Sequence, residues 1–501
     1  MKKTRILFTA LSLTLTLLIL SSCGAAMMTE PVGNFMPEYA GPMDGVHDEG
    51  KGELINDGVI AENPFVSTEK QPVSTFSADV DTASYAYLRK LLKSGYSFKE
   101  LSATAGGSLR TEELVNYFDY ACPAPEEGKL FGYKAQIAPT PWNGATSLLM
   151  LTLKTEELTL HSRNNLVFLI DVSGSMHASD KLPLLKKAFA HLVDNLDEDD
   201  RVSIVTYSGK EEVVLEGCQG SKKELILEAI NSLSASGSTN GEAGLQKAYE
   251  LAERYQIEGG NNRIFMASDG DLNVGISSPE ELKSYIATKR DAGVFLSVLG
   301  FGTGNYKDES MESLADNGNG VYYYIDGEEE AERIFGEDIF SSLYAVAKDV
   351  KLQLTFNPEI VSEYRLIGYE NRLLNNEDFL DDTKDAGELG AGHSVTVLYE
   401  LRTTLSSESL PFATLDVRYK APDGTKSTEE SFVVDGGTFT LAPDGDFRFA
   451  AAVTEFSLLL RNSYYKGQAT RAHLSGILQE LDTGNDQYKE QFITLVSPIL
   501  Q

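Results

Sequence analysis

Leu166-Val167-Phe168-Leu169-Ile170-Asp171-Val172-Ser173-Gly174-Ser175-Met176 is the stretch that decides how this 501-residue chain folds. Five apolar residues in a row, with no polar alternation, describe a strand buried on both faces, as in a parallel sheet covered by helices on each side. The run ends in Asp171, and Ser173 and Ser175 follow at i+2 and i+4 with Gly174 allowing a tight turn. One carboxylate and two hydroxyls therefore crowd the strand's carboxyl end, the edge at which open α/β sheets bind ligands. Three hard oxygen donors suit Mg²⁺, or Mn²⁺ or Ca²⁺, better than zinc. Nitrogen and sulfur donors are absent, and a short Asp/Ser/Gly run can also serve as a plain turn or helix cap.

Outward from that strand, residues 164 to about 346 alternate strand and helix. Helices are predicted over 182–196, 222–233, 243–255 and 280–291, with a closing helix over 328–345. Strands are predicted over 202–207, 263–267, 294–299 and 321–325, with a short one at 213–215. The pattern is that of an α/β fold with a doubly wound, mostly parallel sheet. In such a sheet Gly237-Ser238-Thr239-Asn240 and Ser268-Asp269-Gly270-Asp271 converge on the edge that carries Asp171, so Thr239 and Asp269 can complete a cation's shell.

Asp171, Ser173, Ser175, Thr239 and Asp269 resemble, in order and strand context, the five positions of the metal-ion-dependent adhesion site of von Willebrand factor type A (VWA) domains. The resemblance covers roughly residues 164 to 345. It implies a Rossmann-like domain, assigned to 161–346, that binds a divalent metal and through it a protein presenting an Asp or Glu carboxylate. Loops 209–212 and 300–304 flank the edge and would set specificity.

The N-terminus reads as an export signal. Lys2, Lys3 and Arg5 precede an apolar run from Ile6 to Leu20, too short for a confident membrane span, which ends in Leu20-Ser21-Ser22-Cys23-Gly24. That ending resembles the bacterial lipobox and implies acylation of Cys23 after removal of residues 1–22. The protein is then expected in the cell envelope, extracytoplasmic and anchored to a membrane by its lipid. Residues 23–75 are rich in Gly, Pro, Met and acids without period, and read as a tether with a reach of about 40 Å.

Two flanks complete the chain. Over 76–160, Asp81-Thr82 can cap a helix Tyr85–Leu92, Thr111 can cap Glu112–Phe118, and Ser147–Leu153 alternates as a strand. Beyond 347, alternation at 350–356, 394–401 and 413–419, followed by helical patterns at 447–460 and 474–481, predicts a β-rich α+β unit to 501. Phe76-Ser77-Ala78-Asp79-Val80-Asp81-Thr82-Ala83-Ser84-Tyr85 and Glu112-Glu113-Leu114-Val115-Asn116-Tyr117-Phe118 resemble the N-terminal segment of YfbK-like bacterial VWA lipoproteins, a likeness that covers most of the mature chain.

Composition limits the function. With 43 Lys and Arg against 75 Asp and Glu, the average field repels phosphate backbones, so nucleic acid is not an expected partner. Of the three cysteines, Cys122 and Cys218 lie at no metal-binding spacing and stand either as a pair or as two separate thiols. Asp269, Asp271, Asn273 and Glu280 mimic an EF-hand, but Val274 replaces its glycine and a strand precedes them. Gly300 to Gly304 lacks a dinucleotide fingerprint. His177 alone among the histidines lies near the oxygen-rich loop, as a surface residue rather than a base. An enzyme is therefore not expected; a metal-dependent envelope hydrolase and a structural scaffold are the alternatives to metal-mediated binding.

Overall fold

The computed structural model describes residues 54–55, 59–78, 81–157, 163–238, 241–270, 279–302, 308–338, 341, 343–403, 410–422 and 424–501. All lie in one compact unit, Gly50–Gln501. The expected signal 1–22, Cys23, most of the tether, Thr239, the end of the 300–304 loop and Asp271 and Asn273 fall outside the described residues.

The sheet predicted around Leu166–Ile170 is present, with six strands in the order Tyr322–Ile325, Phe295–Phe301, Asn261–Ser268, Asn164–Asp171, Arg201–Tyr207 and Glu211–Gln219. The first five run parallel and the last is antiparallel. Asn164–Asp171 is buried at every position, and its side chains divide by the two-residue period of a strand. Leu166, Phe168 and Ile170 enter one core with Leu185 and Phe189 of the helix Leu182–Asp194. Val167 and Leu169 enter the other with Leu245 and Tyr249 of the helix Glu242–Arg254.

From Asn164–Asp171 the chain winds one way to Arg201–Tyr207 and then the other way to Asn261–Ser268. The gap between these two winding directions is the topological switch point, the crevice where open α/β sheets place their ligands. Two boundaries differ from expectation. The edge strand is longer than 213–215 because its solvent side carries Glu and hides the alternation. The closing segment is not one continuous α-helix over 328–345: it is α-helical over Glu328–Glu332, turns π-helical over Arg333–Glu337 around Gly336, is α-helical again at Ser341 and Leu343, and by Ala345 the chain is already a strand. Glycine weakens the helix there, and the alternating run that follows wins.

The flanks do not form the separate units expected of them. Strands from both ends build two antiparallel sheets around one core. Val73–Ser77 pairs with Ala345–Phe356, aligning Phe76 with Leu352. Phe131–Pro139 and Ser147–Thr155 join Ser394–Thr403, Val361–Ile367 and the short Val66–Ser67. Phe76, Leu149, Leu151, Leu354, Val397 and Leu415 fill the space between the sheets. The tether as expected therefore runs too far: Val66–Ser67 and Val73–Ser77 are sheet strands. A lone hairpin such as 131–155 is marginal in water, whereas paired across the chain it has a buried face.

The helices follow the same rule. Ala83–Lys93, Phe98–Thr104 and Thr111–Asn116 pack with Gly445–Leu460, Arg471–Gln479 and Gln487–Val496 through Tyr85, Phe118, Phe449, Phe456 and Phe492. Trp142 is fully buried in this core, a packing residue. Cys122 and Cys218 are both free thiols, and burial pushes Cys122 up to about 11. Among the described residues no helix is long and apolar enough to cross a membrane.

Glu388 lies where the sandwich meets the central domain, accepting a hydrogen bond from Asn319 Nδ2 at 2.5 Å. Its residue surface is only partly covered, yet desolvation pushes the carboxyl up to about 8, outweighing the opposing pull of Arg263. An unfolded chain ionises this group at about 4.3, so between those values the folded protein holds the extra proton and stability falls as pH rises through about 8. Glu388→Gln should flatten that fall, read as the urea midpoint between about pH 5 and pH 9. Parallel profiles for variant and wild type would show that the carboxyl ionises freely in the fold.

Candidate metal centre

The end of the central strand is fixed by its own backbone. Asp171 is fully buried, and its Oδ1 accepts the Ser173 amide at 2.7 Å. That bond bends the chain into a short 3₁₀ turn, Gly174–His177, and sets the Ser173 and Ser175 hydroxyls 3.0 Å apart. Ser173 is buried and Ser175 exposed, so the oxygens run from the crevice floor to its mouth. His177 points to the surface side of the loop as an exposed residue.

Backbone bonds draw in the second loop. The Gly174 amide donates to Gly237 O at 3.1 Å, and the Ser236 amide to Val172 O at 2.7 Å. Gly237 takes φ +86, a conformation that favours glycine. This places Gly237 and Ser238 against the Asp171 loop; Thr239, the next residue, lies outside the described residues. The third loop follows from register. Ile170 pairs with Ala267, so Ser268 stands level with Asp171 and Asp269 is the first residue beyond. Asp269 is 3% exposed.

The donors suit a hard divalent cation: the Asp171 and Asp269 carboxylates and the two serine hydroxyls are all oxygen. A cationic group already occupies part of this field, for Lys181 Nζ lies 2.7 Å from Asp269 Oδ2. Among the described residues no group of three or more His, Cys, Asp or Glu is placed to hold a metal ion.

Two residues at this edge escaped the sequence analysis. Tyr207, fully buried at the end of the neighbouring strand, has its phenol raised well above the ordinary range by burial and by the charges of Asp171 and Asp269. It stays a neutral phenol. Lys181 is the other, and the sequence held a faint signal for it. It occupies the N-cap of Leu182–Asp194, where the helix dipole disfavours a cation unless an anion stands opposite.

Comparison with known proteins fits this geometry. The "von Willebrand factor type A domain" family matches residues 165–337, "von Willebrand factor" matches 58–150, and "Uncharacterized protein YfbK, C-terminal" matches 341–500. The chain is 38% identical to the YfbK protein of Escherichia coli (strain K12) over 466 residues, 87% of this chain and 79% of the relative. It is 29% identical over 176 residues to the human inter-alpha-trypsin inhibitor heavy chain H3, spanning 34% of this chain and only 20% of that protein. A solved von Willebrand factor type A protein from Catenulispora acidiphila is similar over 67% of this chain and 82% of its own, at 16% identity and a TM-score of 0.40. With a type A domain over the sheet that carries Asp171 and Asp269, and a YfbK relative along most of its length, the chain belongs to the YfbK-like family of von Willebrand factor type A proteins.

Proposed function

We propose that this protein is a lipid-anchored, extracytoplasmic binding protein whose VWA domain engages a protein partner through a divalent ion, Mg²⁺ or Mn²⁺ by preference. The observation that carries the reading is the all-oxygen crevice at the switch point, with Asp171 and Asp269 buried and a lysine ammonium seated against one of them. Asp171, Ser173, Ser175 and Asp269, with Thr239, would hold the ion. Bound there, it supplies an electrophilic position to which an Asp or Glu side chain of the partner can attach.

Binding is favoured over hydrolysis by the groups that line the edge. The Tyr207 phenol is fully buried and held protonated chiefly by that burial, so it is not a ready general base. The protein's acidic balance would slow an acidic partner and favour a carboxylate presented on a neutral or basic surface. Crosslinking in cells tests the function directly: a partner captured by wild type and lost with Asp171→Asn supports it, whereas the same set of proteins captured by both sinks it.

Anchorage rests on Leu20-Ser21-Ser22-Cys23 after the charged start and apolar run. Cys23→Ala should move the protein from the membrane fraction to the soluble fraction. Unchanged fractionation would mean that the thiol carries no anchor.

A further inference from the structure

Asp171 and Asp269 are both buried at one edge of the sheet, and two like charges in such a place disfavour each other and the folded state. Lys181 answers one of them. Its side chain is 13% exposed and that of Asp269 is 0%, so the pair is largely shielded from water. The surroundings are shaped to bring this ammonium in. The neighbouring Asp180 is ion-paired with Lys90 Nζ at 2.7 Å. On the opposite side Gly302, at φ +79, leaves the space through which the lysine stem passes, and a Cβ there would stand 2.4 Å from Lys181 Cε. The Gly302 carbonyl is held in turn by the Tyr324 hydroxyl at 2.6 Å.

We propose that Lys181 is the built-in counter-ion of the adhesion site, occupying Asp269 while the metal is absent and leaving it when a divalent ion enters. The inference rests on the metal-binding reading above. With the lysine in place, the charge of Asp269 is met from within the chain. A divalent ion at the same carboxylates meets the ammonium as a like charge at close range, so the two compete. Metal loading and lysine release are then one equilibrium. A bound metal leaves an ammonium at the mouth of the site, on the side from which an acidic partner group arrives.

Two measurements on the full-length chain test this with Mn²⁺ as the probe. Titration calorimetry should find Mn²⁺ bound at least about tenfold more tightly by Lys181→Gln than by wild type, the order of a direct like-charge term, with Lys181→Arg close to wild type. Equal or weaker binding by Lys181→Gln overturns the proposal. Amine-reactive labelling read by peptide mass spectrometry uses wild type alone and so stands if the variant fails to fold. Lys181 should be protected in EDTA and labelled in Mn²⁺, with Lys187 as an exposed reference. The same labelling in both conditions overturns the proposal. If neither wild type nor variant binds Mn²⁺, the metal-binding reading itself falls, an outcome distinct from equal binding by both.

Discussion

If the proposed site holds the ion, Asp171→Asn should abolish metal binding and partner binding together while leaving the melting transition in place. Asparagine keeps an oxygen to accept the Ser173 amide, so the turn that sets the two serine hydroxyls survives. What is lost is a negative charge, half of what balances the ion. Metal affinity should fall beyond the roughly 10–100-fold that changes around a ligand shell produce. The metal-free fold should not suffer, because Lys181 then balances the one carboxylate left, Asp269. Partner binding follows the metal: without the ion, Asp171 and Asp269 repel the carboxylate they would otherwise hold through it. Thr239→Ala should weaken binding less, since a hydroxyl carries no charge. Surface plasmon resonance with the crosslinked partner, in Mg²⁺ and in EDTA, is the check; equal affinity in both buffers would place the docking surface elsewhere.

How far the fold can be read from the chain depends on how local its determinants are. Leu166–Ile170 announces a doubly buried strand because the whole signal sits in five residues, and Asp171, Ser173 and Ser175 follow from it by adjacency. Asp269 could be placed because strand ends in a doubly wound sheet share an edge. The pairing of Phe76 with Leu352 has no such local sign: a strand's partner is chosen by a face that forms only when distant segments meet. For that reason Val66–Ser67 and residues 73–75 read as tether, and the flanks read as separate units. The helix Phe98–Thr104 went unread, although Ser97 and Glu100 form a capping box whose spacing is in the sequence. Lys181 was not legible, because its partner lies on a different strand end and its own segment gives only an ill-placed charge.

Arg89→Ala should destabilise the protein by about 3–5 kcal/mol, the penalty for stranding buried charge. Arg89 is fully buried between the N-terminal helices and the end of the VWA sheet. Its Nε and Nη2 donate to the two Asp326 oxygens at 2.8 and 2.6 Å, Nη2 also reaches Glu330 Oε2 at 2.6 Å, and Nη1 donates to the Tyr117 hydroxyl. The guanidinium also faces the Tyr117 ring at 5.1 Å. Removal leaves Asp326 and Glu330 facing each other without it. Burial already pushes the Asp326 carboxyl up against the pull of Arg89, so the variant can relieve itself by taking up a proton. The loss should therefore be larger at alkaline than at mildly acidic pH, because an acid whose folded pKa is raised loses stability as pH rises through it. Adding Glu330→Gln to Arg89→Ala should recover part of the loss by deleting one stranded charge, which a loss of packing alone would not allow. Urea unfolding of the single and double variants at two pH values decides between them. A single variant within about 1 kcal/mol of wild type, the range of an exposed pair, would mean that water reaches these carboxylates once the arginine is gone.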